Sequence, residues 1–186
     1  VGDTLCLKAA IGVNAYEAIA QTVSNTWPIA VGTVAIILNC TCVLIQFLLR
    51  KKGEFGLVHL LQVPAGIIMG VIINFFYYDI LGSLVLGSYL CQAAMLAAGL
   101  AISAFSVSML ISLDLPVFPL EGVCITLAGL IGTKYYIVRR WADFLFIVLS
   151  ILISFLFGKP LSVREGTVLG MLVSGPLLGL FSRWQK

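Results

Sequence analysis

The sequence Val13-Asn14-Ala15-Tyr16-Glu17 returns 104 positions later as Val117-Phe118-Pro119-Leu120-Glu121. The similarity between the two halves extends beyond this motif to three further pairs: Thr22 with Thr126, Asn39 with Asp143, and Gly66-x-x-x-Gly70 with Gly175-x-x-x-Gly179. The glycine pair recurs after a small length difference. The repeat predicts two half-length units, residues 1–79 and 80–186, within one integrated domain.

The composition indicates that these units lie in a membrane. The 186 residues are 61% hydrophobic and 10% charged, with a mean hydropathy of +1.12. Soluble domains are nearer a quarter charged, and one core of this size could not hide so much apolar surface. The lipid bilayer is therefore the expected surrounding. One Arg-Lys-Lys cluster without interleaved aromatic residues gives no sign of nucleic-acid binding.

Apolar segments divide the chain into an all-α, polytopic helix bundle. A bilayer core of about 30 Å needs about 20 residues of helix. The first ten residues are too few, so we expect Val1 to lie inside a first span that begins before it. The aromatic run at 75–78 is typical of a membrane interface. Further spans are predicted at about 32–49, 56–76, within 84–113, 136–157 and 166–184, and short helices at 14–26 and 119–131.

The short helices decide the topology. If each enters the membrane and returns, or lies at its surface, each half crosses three times, and the halves form a 3+3 inverted repeat. If each crosses fully, the halves cross four times and run parallel.

Basic residues favour the inverted arrangement, because cytoplasmic loops carry the excess of Lys and Arg. The four-crossing alternative divides the eleven basic residues five against six and leaves no bias. The inverted arrangement puts the termini and the Arg50–Lys52 loop in the cytoplasm. It divides the same residues eight against three: Arg50, Lys51, Lys52, Lys134, Arg139, Arg140, Arg183 and Lys186 against Lys8, Lys159 and Arg164.

Glu17 and Glu121 are the first candidates for a substrate or ion pathway, because polar groups in lipid are costly. Inverted-repeat transporters bind substrate near the midplane, at the ends of broken helices. A carboxylate there can bind a cation or carry a proton. The same residues also fit a capping role: Asn14-x-x-Glu17 reads as a capping box, and Glu121 lies in the first turn behind Pro119. Both interpretations remain open.

Asn39 and Asp143 form the second candidate pair for the pathway. Asn39 lies eleven residues before Arg50, about 16 Å deep at 1.5 Å per residue, where it can hydrogen-bond between helices. Asp143 follows Arg139 by four residues and Arg140 by three, so one helix face predicts a structural ion pair. A gate or an ion-coupling site is the functional alternative.

The remaining polar and small residues give weaker signals. His59 is the only histidine, with Gln62 on the same helix face, and either could serve the pathway or bond between helices. One histidine and five scattered cysteines predict no metal site, and no motif predicts a catalytic residue or a cofactor. The glycine pairs at Gly66/Gly70 and Gly175/Gly179 predict close helix packing, within one chain or in a homodimer.

Several stretches together resemble a known family. They are Lys8-Ala-x-Ile-Gly-Val-Asn, Gly32-Thr-Val, Pro119-Leu-Glu-Gly122, the basic residues before Asp143, and Arg164-Glu-Gly-Thr167. They resemble the small bacterial YczE/YyaS/YitT-like integral membrane proteins. The resemblance implies about six spans and a bacterial plasma-membrane location, and it names no substrate. Phe118-Pro119 opposite Asn14-Ala15 makes the halves unequal, so any site should be asymmetric.

These observations predict a small transporter, or a substrate-binding membrane subunit, for an unidentified small molecule or cation. No enzyme is expected. The alternative is a membrane interaction protein whose polar residues only cap and fix helices. A third hypothesis is a vitamin-capturing component of an energy-coupling transporter. It rests on size alone, because those proteins are also small and cross the membrane six times.

Overall fold

Helices form at nearly every position where the sequence predicts them. The computed structural model describes residues 1–50, 56–84, 86–112, 118–168, 170, 173 and 177. These residues are helical or lie in turns, and no strand occurs among them. The helices are α1 (Gly2–Ala9), α2 (Ala15–Thr26), α3 (Val31–Leu49), α4 (Leu57–Asn74), α5 (Tyr89–Ser112), α6 (Pro119–Ile131) and α7 (Tyr135–Leu156).

Two further helical segments extend this set. A π-helical segment, Phe75–Ile80, continues α4 through the aromatic run. Residues 165–168 are helical where the last predicted span begins. The chain is therefore an all-α helical bundle, as its composition predicts.

Three of the described helices are long and apolar enough to cross a membrane: Val31–Leu49, His59–Ile80 and Tyr89–Leu110. Their outer faces carry exposed large apolar side chains, such as Leu90, which is 79% exposed. Lipid is the medium in which such a surface is stable. The chain is a membrane protein. Helix α7 has 22 residues but carries Arg139, Arg140 and Asp143 in its first half.

The short helices lie at the centre of the bundle. Helix α2 contacts α3 and α7, α6 contacts the same two helices, and α1 lies along α5. Small residues of α1 and α2, including Cys6, Ala18 and Ala20, are almost completely buried, so neighbouring backbones can approach closely. Helix α2 is thus packed between α3 and α7, while α6 keeps exposed apolar side chains at Ile125, Leu130 and Ile131.

Helices α3 and α4 meet through glycine. A Cβ atom on Gly70 would collide with the Gly32 carbonyl oxygen and with the Ile36 side chain. One turn further along α4, Asn74 Oδ1 accepts a hydrogen bond of 2.8 Å from the Gly32 amide. Gly66 lies against the Asn39 side chain. The first glycine pair therefore joins helices within the chain, whereas Gly175 and Gly179 lie outside the described residues.

The α1–α2 linker is bound to the start of the last helix. The Gly166 amide donates to the Ile11 carbonyl at 2.9 Å, and the Val13 amide donates to Thr167 Oγ1 at 3.2 Å. Gly12 has a φ of +144°, and a Cβ atom there would collide with Gly166 and Thr167. This contact fixes the position from which α2 enters the bundle.

Glycine packing gives a test with a matched control. Gly70→Ala should lower the free energy of unfolding by about 1–3 kcal/mol, because overpacking a tight contact costs that much. Gly129→Ala on α6 meets nothing within 4 Å, so it should be neutral or stabilise by up to about 1 kcal/mol. Denaturant unfolding in detergent, followed by tryptophan fluorescence, measures both. Equal losses would show that α3 and α4 do not meet as described.

Candidate functional site

Arg139 of α7 lies between two carboxylates. Its Nη2 is 3.3 Å from Asp143 Oδ1 on the next turn of the same helix, as the four-residue spacing predicts. Its Nη1 is 3.7 Å from Glu121 Oε1, in the first turn of α6. Arg139 Nη1, Asp143 Oδ1 and Glu121 Oε2 make no hydrogen bond. The ion pairs are therefore loose, and an entering cation can compete for these oxygens.

The predicted three-residue ion pair needs a correction. Among the described residues, no ion pair involves Arg140, and the third member of the ion-pair group is Glu121, a second acidic partner of Arg139. Spacing along α7 identifies the residues on one face but not the residue that a neighbouring helix places opposite them.

Glu17 is the most buried acidic residue in the described part of the chain, with 7% of its surface exposed. It lies in the first turn of α2, where its Oε2 has no hydrogen-bond partner. Asn14 precedes the helix but makes no capping hydrogen bond from its side chain; it interacts with the Glu17 carboxylate instead. The predicted capping box is therefore not formed. Arg139 is close enough to attract Glu17 electrostatically.

A fourth acidic residue, Asp3, was not identified in the sequence. Its Oδ1 accepts a hydrogen bond of 2.7 Å from Ser103 Oγ on α5, and its charge acts on Glu17 and Glu121. The sequence signal that could have identified Asp3 is its position as an acidic residue within the mostly apolar first ten residues. We name Asp3, Glu17, Glu121, Asp143 and Arg139 the carboxyl cluster.

The carboxyl cluster has an excess of negative groups. Two of its four carboxyl groups, Glu121 and Asp143, pair with the one guanidinium, on a side chain that is 25% exposed, and Glu17 is attracted to it without forming an ion pair. An unpaired carboxylate in an apolar interior is too costly to persist, so a proton or a cation must neutralise it. The cluster can therefore hold cations or protons, and it contains no nucleophile activated by a base.

Asn39 does not join Asp143, although the repeat relates the two positions. Tyr16 Oη donates to Asn39 Oδ1 at 2.9 Å and to the Ala35 carbonyl at 3.1 Å. Asn39 Nδ2 is buried without a partner. Asn39 thus fixes α2 to α3 through the residue next to Glu17, and both N–H donors of its amide group remain free.

His59 and Gln62 have separate roles. His59 Nδ1 accepts a hydrogen bond from the Gly56 amide at 3.2 Å, at the start of α4. Gln62 Oε1 accepts from Gln46 Nε2 at 2.9 Å, and Gln46 also donates to the Pro119 carbonyl at 3.0 Å. Neither residue reaches the carboxyl cluster through a described contact. Sequence reasoning missed Gln46, a fully buried amide that joins three helices.

Helices α2 and α7 meet along a seam that contains unpartnered hydroxyl groups. The Tyr16–Phe146 ring contact begins the seam, at 5.9 Å between centroids, and the Trp27–Phe157 contact ends it, at 5.2 Å. Thr22, Ser150 and Ser154 lie between these contacts, almost completely buried, and their hydroxyl oxygens have no partner. Buried polar atoms are paired in the great majority of cases, so this α2–α7 seam can accept water or a polar solute.

Metal ligation has no support in the described ranges, where no group of three or more His, Cys, Asp or Glu side chains is placed to hold an ion. The five cysteines are free.

Comparison with known proteins gives a family without a function. A family model described as "Family of unknown function (DUF6198)" matches residues 1–183. No curated protein matches the chain, and no solved structure does. The match does not name the YczE/YyaS/YitT-like proteins, so that resemblance remains a prediction.

The role of Arg139 in stability is testable against its neighbour. Arg139→Gln removes the guanidinium and leaves the carboxyl groups of Glu121 and Asp143 facing each other. Breaking a buried ion pair costs about 3–5 kcal/mol, and partial exposure brings the expected loss to the lower end, about 3 kcal/mol.

The control is Arg140→Gln, which should change stability by less than about 0.5 kcal/mol, like an ordinary surface substitution. Adding Glu121→Gln and Asp143→Asn to Arg139→Gln should recover most of the loss, because no uncompensated charge remains. Thermal unfolding in detergent at neutral pH measures the stability of the two single variants and of the triple variant. An equal effect of Arg139→Gln and Arg140→Gln would contradict the described pairing.

Proposed function

The chain belongs to the DUF6198 family, and we propose that it is a small membrane transporter whose carboxyl cluster exchanges a monovalent cation for a proton. The observation that carries the proposal is that one guanidinium, Arg139, pairs with the carboxylates of Glu121 and Asp143 while the buried carboxyl group of Glu17 has no ion-pair partner among the described residues. Glu17 Oε2, buried without a partner, is the atom that a cation or proton would occupy.

A monovalent cation fits this cluster better than a divalent metal ion. The described residues offer no group of three or more suitably placed metal ligands, and Arg139 already supplies one positive charge among the acids. An ammonium group or an alkali cation adds one charge and matches one released proton. The substrate class is therefore a small monovalent cation, organic or inorganic.

The packing supports a repeat of two similar halves. Helix α2 contacts α3 and α7, and α6 contacts α7 and α3. A twofold rotation that exchanges α2 with α6 and α3 with α7 preserves all four contacts. The eight-against-three charge division favours inverted halves, with three crossings in each and cytoplasmic termini in a bacterial plasma membrane.

Alternating access is the mechanism that such a repeat supports. The carboxyl cluster joins elements of both halves, because Glu17 belongs to the first repeat and Glu121, Arg139 and Asp143 to the second. Rocking one half against the other changes the distance of Glu17 from Arg139. A cation bound at Glu17 would favour the arrangement in which the guanidinium is withdrawn. The α2–α7 seam offers polar atoms along one exit from the cluster.

A second candidate is a membrane interaction protein whose polar residues only fix helices. The described cavity, of about 270 Å³, is lined by neither glutamate, and Gln46 joins α3 to α4 and α6 as a purely structural residue would. The two functions differ in whether the cluster exchanges protons for cations.

Proton release distinguishes these functions. Adding Na⁺, K⁺ or tetramethylammonium to the full chain in weakly buffered detergent should release protons, read with a pH dye. Glu17→Gln and Glu121→Gln should each weaken the response about tenfold or more, because a contact to a charged group is worth about 1.5–3 kcal/mol. Glu165→Gln changes an exposed acid outside the cluster and should behave like the unaltered protein. Loss of thermal stability without any proton release would favour the interaction protein.

The seam gives a second test, in which stability and transport should separate. The double change Ser150→Ala and Ser154→Ala removes two buried hydroxyls that have no partner, so stability should stay equal or rise. Cation-driven proton movement in proteoliposomes, followed with an internal pH dye, should fall at least about tenfold. Unchanged transport would exclude the seam as the exit, and a control at exposed Ser106, Ser106→Ala, should leave both measurements unaltered.

A further inference from the structure

A cavity of about 270 Å³ lies away from the carboxyl cluster, where four elements meet. Polar side chains from each element reach it: Lys8 from α1, Gln21 from α2, Tyr77 from the π-helical segment and Gln92 from α5. Leu7 and Leu84 are among the apolar residues of its wall. A concave site with an apolar wall and a few converging polar groups has the usual composition of a small-ligand site.

Lys8 gives the cavity a positive charge. It is the one charged residue of the lining, and no carboxylate of the described residues forms an ion pair with it. Its Nζ donates to the Gly82 carbonyl at 3.3 Å and lies 4.7 Å from the centroid of the Tyr77 ring. An ammonium group has three donors, and the carbonyl takes one of them. The charge is held in place, and it lacks an anionic partner.

The neighbouring polar groups suit an anion with oxygen atoms. Gln92 Nε2 donates to the Leu86 carbonyl at 3.2 Å, which holds the amide at the rim, and Gln21 lies beside the Tyr77 hydroxyl. Amide N–H and phenolic O–H groups donate to carboxylate or phosphate oxygens. The leucines offer a surface for a short apolar stem.

We propose that this cavity binds the carboxylate or phosphate group of a ligand with a short apolar stem, with Lys8 as the counter-charge. The aromatic run Phe75–Tyr78 at its edge is typical of the membrane interface. The anion can therefore belong to a lipid headgroup or to a free solute, which share this chemistry. The proposal uses none of the residues of the carboxyl cluster, so it stands or fails independently of cation exchange.

The test measures stabilisation of the full chain by three probes, because a ligand that binds only the folded state raises the unfolding temperature. Butyrate and inorganic phosphate, added to the protein in neutral detergent, represent free anions. Phosphatidylglycerol nanodiscs, compared with phosphatidylcholine nanodiscs, represent the lipid source. We expect saturable stabilisation by at least one probe. A response to butyrate or phosphate alone assigns a solute site, and a response to phosphatidylglycerol alone assigns a lipid site.

Variants show whether the cavity is responsible. Lys8→Met keeps an apolar chain of similar length and removes the charge, so half-saturation should need about tenfold more probe or more. Lys8→Arg should retain most of the response. Lys159→Met, at an exposed lysine in the turn after α7, should respond like the unaltered protein.

Other results would overturn the proposal. They are an absence of saturable stabilisation by all three probes, a response that survives in Lys8→Met, and an equal loss in Lys159→Met. In those cases Lys8 only anchors the chain at the interface, as lysines near helix ends do. If Lys8→Met fails to fold, Gln92→Leu and Tyr77→Phe test the same cavity: a retained response in both overturns the proposal, and a weakened response in either supports it.

Discussion

The guanidinium of Arg139 neutralises carboxyl groups from two helices in an interior that holds more acid than base. Its contacts with Glu121 and Asp143 decide how α6 lies against α7, because a charge buried without a partner costs several kilocalories per mole. The same guanidinium attracts the Glu17 carboxylate, whereas Asp3 repels that carboxylate, so the protonation of these two acids also affects how α1 and α2 lie in the bundle. The packing of the bundle therefore depends on the charge state of its centre, and any proton or cation that enters changes both.

The two short helices place their first turns where these charges meet. A carboxylate in the first turn is favoured by the helix dipole and by free backbone amides, which explains locally why Glu17 and Glu121 recur. That local benefit does not remove the excess of acid over base. Structural and functional explanations of the glutamates are thus compatible. The helix starts lower the free-energy cost of burying the carboxylates. Because positively charged side chains are too few to pair with all of them, the carboxylates can still bind a cation or a proton.

The sequence predicted local features more closely than contacts between helices. Helix α6 begins and ends at the predicted residues, Pro119 and Ile131, because proline at the first position and glycine after the last are strong signals. The Asn14–Glu17 capping box failed because the Asn14 side chain interacts with the Glu17 carboxylate and makes no capping hydrogen bond to the backbone.

By itself, the sequence determined that this is an all-α membrane protein, where most of its helices lie, and that some polar residues, such as Glu17 and Asn39, lie in its interior. Composition and helical spacing are sufficient for this, since lipid excludes most other backbone structures. Only the tertiary structure decided that Asp3 joins the cluster, that Glu121 pairs with Arg139 while Arg140 does not, and that Gln62 meets Gln46 and not His59. These pairings join residues far apart in the chain, and the distance between two helices is not encoded in the spacing along either one.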